Sequence, residues 1–335
     1  ERGMDWALDR GYATDTDLRR TEENGRMHGA DASTVSTRAI RRGYGQVGTL
    51  GSGNHYLEIQ TVDPDGIFDS QAASRLGIRG PGQVVVMLHT GSRGFGHQVA
   101  SDYLQTFNRV MGSKYGLQVR DKQLACAPFH SEEGQAYFAA MQCAVNMAFM
   151  NRQMILHRVR EVFSDVLGRS AEELGLEQIY DVTHNTAKVE HHVVEGEERE
   201  LLIHRKGATR AFGPGMDGIP PEYADLGQPV IIGGSMETGS YLLLGSAAGA
   251  PAFYTTAHGS GRTMGRREAQ KRFRGAEIEA QMRGHGTYVR AKSKSGLAEE
   301  AGAAYKDIDA VVESAEAAGL SRRVVRLRPV GSLKG

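Results

Sequence analysis

The chain has 335 residues, 40% of them hydrophobic, with 40 basic and 40 acidic side chains and only two cysteines. This length accommodates one large domain or two smaller ones, and the zero net charge means that any nucleic-acid contact must come from local patches. Two cysteines exclude a disulfide framework and a cysteine-based metal cluster, and no apolar run approaches the roughly eighteen residues of a transmembrane helix. The composition predicts a cytoplasmic protein without a membrane segment.

The first half of the chain predicts helices around two strands. Residues 1–45 are polar and are predicted to be helical in pieces, and Tyr56–Ile59 predicts a short strand. The continuous apolar run Val84–Leu88 predicts a strand buried on both faces, with His89 at its end. Long segments rich in alanine and methionine predict a helical excursion over about 97–170.

The second half predicts several short strands and two helices. The strands are Ile179–Val182, Leu201–Ile203, Val230–Ile232, Tyr241–Leu244 and Val324–Leu327. The helices are expected over 263–283 and Asp307–Ala318. Strands and helices intermix without a regular βαβ rhythm. We therefore expect an α/β fold of the mixed α+β kind, as a single domain over 1–335 with central mixed sheets.

Four histidines lie beside glycines or other small residues. They stand in Gly51–His55, His89–Gly94, Val182–Asn185 and Ala257–Arg262. Imidazole is a common metal ligand and a competent nucleophile, and neighbouring glycines let the backbone approach a phosphate. A single such histidine is more often a hydrogen-bonded structural residue. Four together predict a metal centre that carries out chemistry.

The first three histidines and the fourth predict different roles. His55, His89 and His184 lie on loops or strand ends, where a rigid sheet positions metal ligands; Zn, Mn, Fe and Co all remain open. His258, followed by Gly259, Gly261 and an arginine, suits nucleotidyl transfer, although it could also be a turn histidine before a basic helix.

Arginines and absent motifs narrow the chemistry further. Arg93, in the loop after His89, is predicted to clamp a phosphate. Basic clusters at Arg205–Arg210, Arg262–Arg274 and Arg322–Arg328 predict either phosphate-binding patches or solvated faces. The chain has no P-loop, no Lys-x-Asp-Gly ligase motif, no His-Glu-x-x-His helix and no Gly-x-Ser-x-Gly elbow.

Six ordered motifs resemble those of the tRNA-splicing ligase RtcB family. They are Gly48–Glu58, His89–His97, Asp181–Asn185, Arg205–Arg210, Gly234–Met236 and Ala257–Arg262, and the resemblance runs over the whole chain. It implies an enzyme of tRNA splicing or RNA repair. This enzyme would join 2′,3′-cyclic phosphate or 3′-phosphate ends to 5′-hydroxyl ends with GTP and two Mn²⁺ ions, with an activating protein among its partners.

The resemblance also implies a role for each site residue. His258 would form a GMP–histidine intermediate, His55 would bind one Mn²⁺ ion, and His89 with His184 would bind the other. The nucleotide would be contacted by Asn54, Glu58, Asn185, Ser235, Ser240, Gly259 and Gly261. Tyr305 would stack on guanine and Lys334 would help to read it. Arg93 and the segment Arg205–Arg210 would face RNA or GTP phosphates.

One departure from the family is expected to matter. The family completes its metal site with an Asp-x-x-Cys segment, whereas Cys126 and Cys143 lie in other contexts and are predicted to be core residues. We therefore expect an N-terminal part to be absent and metal to be held weakly. The alternatives are an inactive RNA-binding relative and a Mn-dependent cyclic phosphodiesterase. The guanine-pocket residues Tyr305 and Lys334 favour the ligase.

Overall fold

The computed structural model describes all of the residues Glu1–Gly335 and has the mixed α+β architecture expected from the sequence. Its helices are α1 (Asp5–Asp9), α2 (Asp15–Arg19), α3 (Thr37–Gly43), α4 (Ser70–Arg75), α5 (Arg93–Ser113), α6 (Glu132–Leu167), α7 (Arg266–Arg272), α8 (Gly275–Gly284), α9 (Lys294–Glu299) and α10 (Ile308–Ala317). None of them combines the length and apolar composition needed to cross a bilayer.

The strands form one large sheet and two small ones. They are β1 (Tyr56–Ile67), β2 (Val84–His89), β3 (Asn185–Val194), β4 (Glu197–Lys206), β5 (Ala208–Arg210), β6 (Pro229–Gly233), β7 (Ser240–Gly245), β8 (Thr255–Ala257), β9 (Tyr288–Ala291) and β10 (Ser321–Lys334). The large sheet has the order β2-β1-β10-β7-β6, and its neighbours are antiparallel; β9 pairs with β10 in parallel. The hairpin β3-β4 and the pair β5-β8 form the small sheets.

The chain divides into two compact units. The helical unit comprises Glu1–Thr49 and Thr90–Gln178, and the sheet unit comprises Leu50–His89 and Ile179–Gly335. The helical unit is built on α6, which begins after Ser131, whose hydroxyl accepts the Gly134 N–H, and ends at the left-handed Gly168. Phe149 and Val145 of α6 pack against the N-terminal segment. The helical excursion expected over 97–170 is confirmed as α5 and α6.

The sheet unit has apolar packing on both faces of β7. Leu242 and Leu244 pack with residues of β10, whereas Leu243 packs with Ile308 and Val312 of α10. Strand β1 instead alternates buried polar residues with half-buried apolar ones. One face of β1 therefore presents polar groups to the interior, and this face builds the site described below.

Several predicted strands and helices are present in the structure, but their predicted bounds were too short or too long. Tyr56–Ile59 and Val324–Leu327 are parts of the longer strands β1 and β10, and the three strands predicted within 201–244 lie in β4, β6 and β7. The helix predicted over 263–283 is interrupted between α7 and α8. Gly275, the first residue of α8, lies so close to the Lys294 carbonyl oxygen that a β-carbon there would clash with it.

Three predictions were wrong. The strand β2 lies at the sheet edge with Val84 52% exposed, because an apolar run does not distinguish an edge strand from a central one. Ile179–Val182 forms no strand; Ile179 packs against the core from a loop. Cys126 is exposed, whereas Cys143 is buried as predicted. Strand β3 was not predicted, since its buried face carries Lys188, Glu190 and other polar residues.

Candidate active site

A row of three side chains crosses the large sheet and forms one wall of the site. His89 of β2 lies opposite Tyr56 of β1, and Tyr56 lies opposite Lys334 of β10. Residues directly opposite one another project to the same face of a sheet. The His89 and Tyr56 ring centroids are 5.3 Å apart, and the Lys334 ammonium lies 4.5 Å from the Tyr56 centroid.

The four histidines predicted from the sequence come together in the sheet unit. The His89 ring centroid lies 4.8 Å from that of His184 and 6.1 Å from those of His55 and His258. The His184 and His258 rings are stacked at 4.5 Å. Burial lowers the pKa of His89 well below its usual value, and the neighbouring imidazoles lower it further. His89 is therefore neutral at pH 7 and has a lone pair available for a metal.

The pair His89 and His184 fits one part of a metal site. Their Nε2 atoms are 2.8 Å apart, a distance that requires either a shared proton or a cation, since two lone pairs this close repel. Two nitrogen ligands at right angles around a metal would be about 3 Å apart for bonds of about 2.1 Å. No group of three histidine, cysteine, aspartate or glutamate side chains is arranged to hold a metal, so these residues alone do not complete a centre.

His258 is oriented by a hydrogen bond to the backbone. Its Nδ1 lies 2.7 Å from the carbonyl oxygen of Gly207, and a carbonyl oxygen can only accept. The neutral ring therefore carries its proton on Nδ1 and its lone pair on Nε2. Burial lowers the pKa of His258, the hydrogen bond to Gly207 raises it, and the nearby Lys206 lowers it; the net shift is downward. This is the protonation state of a nucleophile.

Two short backbone pairings place His258 opposite Gly207. Ala257 of β8 pairs with Ala208 of β5. On the other side, the Gly233 N–H donates to the His258 carbonyl oxygen at 3.1 Å, and Gly233 forms a parallel bridge with Gly259. The loop that carries the imidazole is thus fixed before and after the ring.

A buried polar chain lies on the same face of β1. The Ser240 hydroxyl donates to Gln60, whose amide donates to Glu58, and Glu58 also accepts from Ser332. Burial raises the pKa of Glu58, and the positive charge of Lys334 opposes this rise. Glu58 and Ser240, both predicted to contact the nucleotide, therefore belong to one connected network.

Tyr305 belongs to a second set of hydrogen-bonded polar side chains, next to the set that contains Glu58. Its hydroxyl donates to Glu300 and lies 3.4 Å from the Asn54 side-chain oxygen, and Arg262 donates to it at 3.0 Å. The Arg262 guanidinium covers one face of the Tyr305 ring at 4.8 Å from its centroid. Lys334 lies 4.0 Å from Glu300, so the structure brings Asn54, Tyr305 and Lys334 together.

The remaining predicted residues lie outside these two networks; they are Asn185, Ser235, Gly261 and Arg93. The Asn185 side chain accepts the Gly207 N–H at 3.2 Å, next to His258. The Ser235 hydroxyl accepts the Glu237 N–H within its own turn, and Gly261 has a left-handed φ of 76°. Arg93 belongs to the helical unit, where its Nε donates to Thr49.

Comparisons with known proteins identify the family of the chain. A family model described as tRNA-splicing ligase RtcB matches residues 1–335. The chain belongs to the RtcB family. A tRNA-splicing ligase RtcB of Archaeoglobus fulgidus is 50% identical, with 99% of this chain covering 68% of the relative. One of Methanococcus maripaludis is 48% identical, with 100% covering 69%, and one of Pyrococcus furiosus is 52% identical, with 99% covering 34%.

The chain therefore spans about a third of the length of the Pyrococcus furiosus relative and about two thirds of the other two. The family resemblance expected from the motifs is confirmed. The roles that RtcB membership implies for individual residues remain proposals.

Two basic clusters of this RtcB chain, predicted to be either phosphate-binding patches or solvated faces, are instead taken up by partners within the protein. Arg205 is 3% exposed and pairs with Glu190, and Arg210 is 5% exposed and donates to Gln228. The prediction failed because sequence alone does not reveal a buried carboxylate partner. The cluster Arg322–Arg328 is likewise paired with acidic side chains, namely those of Asp69, Glu313, Glu316, Asp63 and Asp309.

Sequence reasoning missed three residues of the site. Tyr56 separates His89 from Lys334, Glu300 accepts from Tyr305, and Gly207 orients His258. Tyr56 could have been found, because it precedes Glu58 by two positions and strand periodicity puts both on one face. The roles of Gly207 and Glu300 depend on contacts that no local pattern encodes.

Proposed function

We propose that the protein is an RNA ligase that acts through a GMP–histidine intermediate and requires GTP and Mn²⁺. It would join 2′,3′-cyclic phosphate or 3′-phosphate ends to 5′-hydroxyl ends in tRNA splicing or RNA repair. The observation that carries this proposal is the orientation of His258, whose Nδ1 is bound to Gly207 so that Nε2 is left as the nucleophile. The other imidazoles and the polar pocket supply neighbours suited to a metal and a purine.

In the proposed first step, the Nε2 lone pair of His258 attacks the α-phosphorus of GTP. A nitrogen–phosphorus bond forms, the bond to the bridging oxygen breaks, and pyrophosphate leaves. The Nδ1 proton remains on its hydrogen bond to Gly207, which stabilises the positive charge that develops on the ring. Asn185, bound to the Gly207 N–H, fixes the same peptide from its other side.

The metal would be held by His89 and His184, with His55 at a second position. Bound there, Mn²⁺ would neutralise the charge that develops on the phosphate oxygens. The neutral state of His89 favours this, since a protonated imidazole cannot coordinate. Because these residues alone do not complete a centre, the remaining positions would be filled by phosphate, by water or by further protein groups.

Replacing His89 by alanine is expected to weaken Mn²⁺ binding at least about tenfold, because one of two convergent nitrogen ligands is lost. The measurement is the loss of the free Mn²⁺ electron paramagnetic resonance signal on titration with protein. His191→Ala, at an exposed histidine of the β3-β4 hairpin, is the matched control and should bind like the parent. Equal affinity of the His89→Ala variant would contradict the assignment.

The guanine would lie against the face of Tyr305 opposite the one that Arg262 covers. Glu58 and Glu300 could accept hydrogen bonds from the base, and the Lys334 ammonium, which lies near Glu300, could donate one. Asn54, Ser235, Ser240, Gly259 and Gly261 are the proposed contacts to the rest of the nucleotide. A cyclic phosphodiesterase would need none of this pocket.

End joining tests the proposal directly. The protein would be incubated with GTP, Mn²⁺ and two RNA strands, one ending in 3′-phosphate and the other beginning with 5′-hydroxyl. We expect a joined product that depends on both GTP and Mn²⁺. Hydrolysis of a cyclic phosphate without joining would support the phosphodiesterase instead, and RNA binding without either reaction would support an inactive relative.

One segment of the sheet unit is suited to contact the RNA backbone. Residues 266–294 contain nine basic and three acidic side chains, which leaves 31 basic and 37 acidic ones elsewhere. Arg267, Lys271, Arg274, Arg290 and Lys292 of this segment are exposed and form no ion pair. Positive charge is therefore concentrated in residues 266–294, although the net charge of the whole chain is zero. Along β9, the exposed Tyr288 and Arg290 alternate with the buried Val289, so a ring and a cation share one outward face.

The triple change Arg267→Gln, Lys271→Gln and Arg274→Gln is expected to weaken RNA binding and to reduce the salt dependence of log K by about 2, at about 0.7 per phosphate contact for single strands. Guanylylation of His258 should stay unchanged. The measurement is fluorescence anisotropy of labelled RNA over a series of salt concentrations. A control variant with Arg79, Arg109 and Arg120 changed to glutamine loses the same charge elsewhere. Equal slopes for the two variants would contradict the assignment.

A further inference from the structure

The buried Arg205 side chain holds two chain segments together. Its guanidinium forms a bidentate pair with Glu190, at 2.5 and 2.8 Å. The same group donates through Nε to the Thr255 hydroxyl at 3.0 Å and through Nη2 to the Phe253 carbonyl oxygen at 2.9 Å. One cation thus joins β3, the end of β4 and the start of β8.

The segments that Arg205 joins are those that carry both partners of the His258 hydrogen bond. Gly207, which supplies the accepting carbonyl, follows Arg205 by two residues in the chain. His258 follows Thr255 by three residues, at the end of β8. Strands β5 and β8 pair over only three residues. So short a ladder leaves the position of the His258 ring dependent on further contacts.

Glu190 is itself fixed by further contacts, so it holds the Arg205 guanidinium in one orientation. Its second carboxylate oxygen lies 2.9 Å from His192 Nε2, and the His192 ring lies edge-on to the Phe253 ring at 5.2 Å. Burial raises the pKa of Glu190, but the hydrogen bonds and charge of Arg205 outweigh it, and the net shift is downward. Glu190 is therefore ionised, and both ions are almost completely buried.

We propose that Arg205 is a positioning residue that holds the Gly207 carbonyl oxygen and the His258 imidazole in register, and thereby keeps His258 Nε2 aimed for attack. This inference rests on the proposed function of His258. A guanidinium is suited to this positioning role because its planar donors bind carboxylate, hydroxyl and carbonyl oxygens at fixed angles. An ammonium group does not impose such angles. Small displacements of a nucleophile are costly in rate, so this support affects the chemical step more than GTP binding.

Two variants test the proposal without leaving Glu190 uncompensated. Thr255→Val keeps the shape of the side chain and removes the bond from Arg205 together with the hydroxyl's own bond to the Phe253 carbonyl oxygen. Arg205→Lys keeps the charge beside Glu190 but not the planar set of donors. The control is Arg199→Lys, at an exposed pair with Glu197 on the same strand. The measurements are the single-turnover rate constant of guanylylation at saturating GTP, the dissociation constant of GTP, and the nitrogen-15 resonance of His258 Nδ1.

We expect the rate constant to fall about tenfold in both variants, equivalent to about 1.4 kcal/mol, with GTP affinity within about twofold of the parent. The Nδ1 resonance should shift toward that of an unbound ring, and the Arg199→Lys control should match the parent. An unchanged rate constant in both variants, or a slower rate with an unchanged Nδ1 resonance, would overturn the proposal. If the parent takes no label, the proposed function fails instead, and an unchanged Nδ1 resonance in the variants would still overturn the role of Arg205.

Discussion

Replacing His258 by alanine is expected to abolish covalent labelling of the protein by GTP, by at least about three orders of magnitude, as for the loss of a nucleophile in other enzymes. The reason is geometric. The Nδ1 of His258 is bound to a backbone carbonyl oxygen, which leaves a lone pair on Nε2. The measurement is retention of label from GTP labelled at its α-phosphate after denaturation and electrophoresis.

The comparison between histidine variants makes this result specific. His184→Ala removes a proposed metal ligand and should lower labelling without removing the acceptor atom, so excess Mn²⁺ should restore part of it. His191→Ala changes an exposed histidine and should label fully. Label that persists in the His258→Ala protein would show that another residue is the acceptor.

The second large effect concerns stability. Replacing Arg160 by methionine is expected to lower the free energy of unfolding by about 3 kcal/mol, because it leaves the buried Asp17 carboxylate without its ionic partner. Arg160 donates to both oxygens of Asp17 at 2.7 Å, and the Asp17 side chain is 1% exposed. This pair ties α6 to α2 within the helical unit. Urea unfolding at pH 7 measures the difference.

The same pair predicts a pH dependence with a defined sign. Burial raises the pKa of Asp17, but hydrogen bonds from Arg160 and Thr14 outweigh it, and the net shift is downward. A carboxyl whose pKa is lowered by folding stabilises the protein above its unfolded value of about 3.9 and loses this effect as the pH falls through the folded value. The gap between parent and Arg160→Met should therefore shrink as the pH falls through the folded pKa of Asp17.

An exposed ion pair provides the control for this measurement. Arg199→Met breaks the pair with Glu197 on the β3-β4 hairpin and should change the free energy of unfolding by less than about 0.5 kcal/mol. A gap between the parent and Arg160→Met proteins that stayed constant from pH 7 to pH 3 would mean that packing of the arginine stem, not the charge of Asp17, accounts for it.

The sequence predicted the histidine cluster because each ring stands in a distinctive loop. His55, His89, His184 and His258 are separated by up to 203 positions, yet local glycines and strand ends marked all four. The apolar periodicity also located β4, β6 and β7. These features depend on local chemistry, which sequence reports directly.

The predictions that failed depended on tertiary partners. Arg205 and Arg322 belong to clusters predicted to be either phosphate-binding patches or solvated faces, but carboxylates on other elements of the fold pair with both. The run Val84–Leu88 was taken for a central strand, although sheet order is set by tertiary pairing. Strand β3 was missed because it buries ions and hydrogen-bonded polar groups where strands usually bury aliphatic side chains. Such groups are buried only because their partners are present, and residue types alone do not show that Glu190 pairs with Arg205 of the neighbouring strand.

The atom that accepts the nucleotide tests the account most directly. After incubation with GTP and Mn²⁺, tandem mass spectrometry of the digested protein would locate the GMP group, and phosphorus–nitrogen NMR coupling would identify the nitrogen. We predict GMP on Nε2 of His258. Attachment to Nδ1, or to a lysine such as Lys206 beside the same loop, would contradict the orientation set by the Gly207 carbonyl.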